Sequence, residues 1–213
     1  VTWIKQDLAA NTKKWTIAYW HHPPYTMGSH NSDTETELVK MRENFIRILE
    51  NAGVDMILCG HSHDYERSYL LKNYYANESS FSIPLHAVNS SSGKYDNSTN
   101  SCAYVTKGGK VNHGTVYVVS GSAGASGTTQ AGYPHNALPF AVNDGGMFYF
   151  DTEEDKLLFC IRWLTKKEEP LFSRYLFVQL NQTNSNWAPL RSTRGVSGGL
   201  ARFGSAIPGL SEE

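Results

Sequence analysis

Apolar positions along this chain fall into two spacings. Over 34–52 they recur every three or four residues, at Leu38, Met41, Phe45, Ile48 and Leu49, the one-face pattern of an amphipathic helix. Ser32, Asp33 and Thr34 supply candidate N-caps, Glu35 and Glu37 place negative charge in the first turn, and Gly53 is a natural left-handed stop. Two short, mostly apolar runs flank this helix, at 15–20 and 54–59. Runs of that length read as buried strands. A further helix is read over 1–11. The order strand, helix, strand implies a parallel pair with the helix packed on one face.

The character changes after Ser68. Short strands are read at 67–72, 115–120, 146–151, 156–164 and 173–180, separated by Gly, Ser and Asn clusters in the manner of antiparallel strands. Asp151 to Asp155 reads as a hairpin turn, and 89–113 as a long polar loop. The small-residue run from Gly121 to Gly127 follows the strand at 115–120 and is placed to approach its end. Past about 184 the chain is rich in Gly, Ser and Arg with little periodicity, and a disordered tail or a non-native end is expected over 185–213. The domain reading is therefore 1–184 plus that tail.

Composition narrows the function classes. A chain of 213 residues can bury one sizeable core, and its 40% apolar content with negative mean hydropathy implies extensive polar loops. A net charge of −1 offers no basic field for nucleic acid. No apolar run approaches the roughly 20 residues needed to span a bilayer. Cys59 reads as a small core residue, while Cys102 and Cys160 could pair in an oxidising compartment. Asn77, Asn89, Asn97 and Asn181 sit in N-x-S/T sequons, which here read first as ordinary Ser/Asn-rich loops.

The chemistry concentrates just past the two strands that flank the central helix. His21 ends the run Trp15–Trp20, and His61 and His63 follow Gly60 after the run ending at Cys59. In α/β proteins ligands collect at the carboxyl ends of strands, and imidazole is a common transition-metal ligand. An extended G-H-x-H would send its two histidines to opposite sides; a turn at Gly60 can aim both at one point. With eight His and eighteen Gly in the chain, this motif alone is weak. Its pairing with a second histidine-bearing strand end carries the argument.

Ala18-Tyr19-Trp20-His21 with His22-Pro23-Pro24-Tyr25, followed by Gly60-His61-Ser62-His63-Asp64-Tyr65-Glu66-Arg67, resembles the calcineurin-like metallophosphoesterases, and within them the purple acid phosphatase-like group. These are the last two of the family's five blocks. G-D-x-G, G-D-x-x-Y and G-N-H-D/E are absent from the sequence. The resemblance implies an α/β/β/α four-layer sandwich, of which this chain is the C-terminal part, with mixed parallel and antiparallel strands. It implies hydrolysis of phosphoesters by two divalent or trivalent metal ions, drawn from Fe, Zn, Mn or Mg. His21 and His61 would bind one metal and His63 the other, and the missing blocks would complete the set. Two metals about 3.5–4 Å apart bind the phosphate oxygens, generate hydroxide near neutral pH and steady the leaving oxygen.

His30, nine positions after His21 in a Gly28-Ser29 loop, is the candidate catalytic residue. The resembled enzymes carry a non-ligand histidine about there, in contact with phosphate and poised to protonate the leaving group. An imidazole's reference pKa of about 6.5 suits that work. His22, next to His21 on an extended segment, is expected to face away. Tyr65, Glu66 and Arg67 read as structural, Tyr25 as a pocket-lining or packing residue, and His135 as a rim residue in a turn-like loop.

Val1 to Leu8 reads as the middle of an amphipathic helix, without start Met or N-cap. The expected partners are thus a phosphoester substrate and the N-terminal remainder of the same protein, with no nucleic-acid patch and no membrane span. The expected location is secreted or periplasmic. The alternative reading is a non-catalytic metal-binding or adhesion domain that kept the scaffold.

Overall fold

The chain enters on α1 (Thr2–Ala10) and then β1 (Ile17–Trp20). In this computed structural model the described residues are 1–89, 91, 93, 104–105, 109–144, 146–153 and 156–163, the last two segments by backbone alone. They all fall within one unit, Val1–Pro170. The expected strand at 173–180, the tail at 185–213 and the Cys102–Cys160 pairing lie outside the described residues.

The central amphipathic pattern folds as α2 (Thr36–Met41), a π-helical stretch (Arg42–Ile46) and α3 (Arg47–Asn51) in one continuous run. The π stretch corrects the buried stripe. A π-turn inserts one extra residue, so after Leu38 the buried positions are Arg42 and Ile46 in place of Met41 and Phe45. Leu49 returns to the core three residues later.

The helix also starts two residues later than read, with Glu35 at the cap and no side-chain cap bond. The expected caps are engaged elsewhere. Ser32 exchanges hydrogen bonds with the Thr26 backbone. Asp33 pairs with Arg42 at 3.3 Å and accepts the Glu78 N–H. Gly53 stops the helix at φ +74°, as its position predicts.

β2 (Met56–Cys59) lies parallel to β1, with Ile17 opposite Met56 and Trp20 opposite Cys59. β3 (Tyr65–Arg67), β4 (Val116–Ser120) and β5 (Phe140–Val142) complete a sheet in the order β1-β2-β4-β3-β5. β4 runs parallel to β2, and β3 runs antiparallel to both β4 and β5. The sheet is thus mixed, and the strand read at 115–120 among the antiparallel ones is parallel to β2 and antiparallel only to β3. A separate antiparallel pair, β6 (Gly146–Glu153) and β7 (Lys156–Trp163), forms the expected hairpin, with Glu153 opposite Lys156.

The strand read at 67–72 is displaced. β3 ends at Arg67, and beyond it only Leu71 makes bridges, to Ala87 and Thr115. Ser68 explains the break: its hydroxyl accepts the Tyr117 N–H at 2.8 Å, where a ladder carbonyl would otherwise stand.

β4 is buried on both faces, as a central strand should be. Tyr117 and Val119 join Tyr25, Ile46, Leu49 and Ile57 on one side, while Val116 and Val118 join Tyr65 and Leu70 on the other. One carboxylate ties the helix to this strand. Glu50, fully buried, accepts the Tyr117 hydroxyl at 2.6 Å, the Tyr75 hydroxyl at 2.8 Å and the Asn73 N–H at 3.0 Å. Burial raises its pKa, and these three donors oppose the rise.

Candidate metal centre

Parallel pairing of β1 with β2 decides where the histidines meet. Because Trp20 lies opposite Cys59, His21 and Gly60 leave the sheet side by side, and the Gly60 N–H donates to the His21 carbonyl at 3.1 Å. The next residue turns sharply. His61 adopts φ +65°, and the Ser62 N–H closes back on the Gly60 carbonyl at 2.8 Å. The turn permitted by G-H-x-H therefore puts its left-handed residue at His61, not at Gly60. A non-glycine residue held there costs about 1–3 kcal/mol, and such strain concentrates at functional sites.

That turn brings His61 into contact with three other histidines. Its Nδ1 lies 3.1 Å from His21 Nε2. The His22 ring sits 4.6 Å from the His61 ring and 5.0 Å from the His21 ring. His22 does not face away, because the chain bends after β1 and the Trp20 indole N–H captures the His22 carbonyl at 2.6 Å. On the other side, the His30 ring stacks on His61 at 3.7 Å, and His30 Nδ1 lies 2.8 Å from Glu35 Oε2.

Two three-residue groups could therefore hold a cation among the described residues. One is His21, His22 and His61; the other is His30, Glu35 and His61. His61 belongs to both. Neither group includes His63, which is exposed and is held by its backbone: its N–H donates to Ser29 Oγ at 2.9 Å, and its carbonyl accepts the Gly127 N–H at 2.7 Å.

The donor set suits a transition metal. Burial first, and then the neighbouring His30, His22 and His21, depress the pKa of His61. The imidazole is neutral near neutral pH, the form that coordinates a cation. Glu35 was not singled out in the sequence as a site residue, since its place three residues after Ser32 reads as first-turn charge. Burial pushes its pKa up, but the Asn31 N–H and His30 bonds outweigh that and leave it below the usual carboxylate value.

The small-residue run after β4 does reach the centre. Gly121 donates to the Asp64 carbonyl at 3.2 Å, and a Cβ at 121 would lie 2.0 Å from the Ser62 carbonyl oxygen. Further along, the Gln130 side chain bonds the Ser29 carbonyl at 3.2 Å. Tyr25 proves to be packing, stacked on Tyr74 in the core. His135 is not at a rim: it is fully buried, with its ring against Tyr25 and Tyr74.

Beneath the histidines lie two fully buried carboxylates. Glu66 accepts the Met27 N–H at 3.0 Å and bonds the Thr26 hydroxyl, fixing the loop that leads to His30. Asp64 packs against Gly28, where a Cβ would fall 2.2 Å from its carboxylate. Burial raises both pKa values, and the charge of Asp64 raises Glu66 further. With folded values above the unfolded ones, stability is fullest below the unfolded carboxylate range, about pH 4, and is lost as pH rises through the folded values. Thermal unfolding of metal-free protein should show the wild type losing ground to Glu66→Gln between pH 5 and pH 8. Parallel curves for the two proteins would contradict the raised pKa of Glu66.

Comparison with known proteins finds similarity to one family over the N-terminal residues. Residues 1–65 match the calcineurin-like phosphoesterase family. Purple acid phosphatase 15 of Arabidopsis thaliana is 36% identical over 76 residues, 34% of this chain and 14% of that protein. Purple acid phosphatase 22 of the same plant is 35% identical over 88 residues, 39% of this chain and 19% of that protein. The chain thus spans less than a fifth of either relative. The purple acid phosphatase PPD1 from yellow lupin (Lupinus luteus) seeds shares the fold, with a TM-score of 0.54 at 19% identity over 76% of this chain and 25% of that one. The mixed sheet with its helices is therefore a calcineurin-like α/β fold. Residues 154–213 match a different family, transcription termination factor nusG. No helix among the described residues is long and apolar enough to cross a membrane.

Proposed function

We propose that this calcineurin-like chain is part of a metal-dependent phosphoester hydrolase, completed by residues that precede Val1. The observation that carries the reading is the convergence of His21 and His61, at 3.1 Å, beyond two parallel strand ends. His21, His22 and His61 would hold one metal, and His63, a short turn away, would contribute to a second. When bound, the ions supply Lewis acidity to the phosphate and a hydroxide nucleophile near neutral pH.

Two surfaces support a preceding segment. Among the described residues, α1 buries none of its own and β1 is an edge strand whose Tyr19 is 81% exposed. An open edge of this kind is normally covered. A secreted or periplasmic location belongs to the same reading.

His30 is the residue proposed to act on the leaving group. Its ring lies flat on His61 and its Nε2 has no hydrogen-bond partner among the described residues. That atom is free to give a proton to the departing oxygen. In the full-length protein, His30→Ala should lower turnover of an alkyl phosphate ester by roughly 10²–10⁴-fold, the usual worth of one acid–base group. The loss should shrink with nitrophenyl phosphate, whose leaving group needs little protonation. Equal losses on both esters would leave His30 a phosphate-binding or structural residue.

A further inference from the structure

We propose that Glu35 is the positioning residue for His30, fixing its ring so that Nδ1 is hydrogen-bonded and Nε2 faces the substrate. The proposal rests on the hydrolase reading for its catalytic consequence, but its geometry stands on this chain alone.

Both oxygens of Glu35 are engaged. Oε1 accepts the Asn31 N–H at 2.7 Å, and Oε2 meets His30 Nδ1 at 2.8 Å. The carboxylate itself sits at the cap of α2, where its backbone is extended at φ −83° and ψ 119°. It spends no hydrogen bond on the helix, as a capping side chain would. Instead it reaches back over the preceding loop and closes it. A carboxylate tied through one oxygen to backbone cannot swing, so the other oxygen defines one place for an N–H.

The His30 ring is fixed from two further directions. One face lies on His61 at 3.7 Å with the planes 29° apart. The residue before it, Ser29, is held by the His63 N–H at 2.9 Å and by the Gln130 side chain at 3.2 Å. Donating from Nδ1–H to the carboxylate fixes the proton at that nitrogen and leaves Nε2 as the atom that takes up and delivers the reacting proton, the arrangement by which a carboxylate orients a catalytic imidazole. The same Oε2 lies 3.8 Å from His61 Nε2, so Glu35 has a second role open to it, as a metal ligand. The Asn31 N–H holds Oε1 and so fixes the direction of Oε2, whose closer contact, 2.8 Å to His30 against 3.8 Å to His61, argues for positioning.

The test uses two readouts. ¹⁵N NMR of the imidazoles in metal-free protein should give His30 as the Nδ1–H tautomer in the wild type and in Glu35→Gln, whose amide oxygen still accepts that proton. Glu35→Ala should shift it to a mixture or to Nε2–H. An unchanged tautomer in Glu35→Ala overturns the proposal. In the full-length protein, Glu35→Ala should lower kcat on an alkyl ester by about 10–100-fold, the usual cost of losing a group that orients a functional histidine. KM and Zn²⁺ content should hold, and Glu35→Gln should recover most of the rate. Loss of Zn²⁺ in Glu35→Ala would make Glu35 a ligand and also overturn the proposal. If the tautomer shifts but His30→Ala is silent on every ester, the positioning stands and the hydrolase reading of His30 fails.

Discussion

Replacing His61 by Ala is expected to remove nearly all phosphoesterase activity from the full-length protein. His61 is the residue shared by both groups able to hold a cation, with Nδ1 at 3.1 Å from His21 and Nε2 at 3.8 Å from Glu35. Its loss deletes a ligand and also the surface on which His30 stacks. Metal stabilisation of the transition state is worth several kcal/mol, so its removal costs on the order of 10³-fold or more in rate. The measurement is kcat/KM on nitrophenyl phosphate, with circular dichroism to verify the fold. A variant retaining a tenth of the activity would remove His61 from the metal centre.

The second large effect is expected at a glycine. Gly121→Ala would bring its Cβ to 2.0 Å from the Ser62 carbonyl oxygen, a backbone atom that no rotamer change can move. Ser62 stands between His61 and His63, so relieving the clash displaces the turn that aims them. Overpacking of this kind costs about 1–3 kcal/mol, and a shift of about 1 Å at a reacting centre costs roughly 10²-fold in rate. A lower Tm and a loss of that order should appear together. Gly124→Ala is the internal control, since nothing lies within 4 Å of its Cβ. Equal behaviour of the two variants would mean that the 121–127 loop does not support the site.

Much of this was legible in the residue pattern, and the reasons differ by element. The parallel β1–β2 pair and the intervening helix followed from two short apolar runs around a 3.6-residue repeat. The meeting of His21 with His61 followed from the same topology. The buried stripe went astray at Met41 and Phe45 because periodicity assumes an unbroken α-helix, and nothing local to Arg42–Ile46 announces a π-turn. β3 stopped at Arg67 because Ser68 substitutes its hydroxyl for a ladder carbonyl, a choice a strand former's pattern does not reveal. β5, only three residues long, carries too little pattern to be read.

At the site, the errors were of direction. Adjacent His21 and His22 alternate sides only on straight chain, and the bend after Trp20 brings both to His61. The positive φ fell on His61 and not on Gly60, and Gly121 lies close against the Ser62 carbonyl that follows it. Glu35 escaped notice because acidic residues in a helix's first turn are common. Only the folded loop reveals that both of its oxygens serve residues 30 and 31.

The most direct test of the central claim is the metal content of the full-length protein, purified without added metal and counted by mass spectrometry alongside its phosphatase activity. The account predicts two ions per chain, lost together with activity on chelation and restored together by one of Zn²⁺, Fe, Mn²⁺ or Mg²⁺. A protein that holds no metal and hydrolyses no phosphoester with any of these ions would contradict it, and the non-catalytic scaffold reading would take its place.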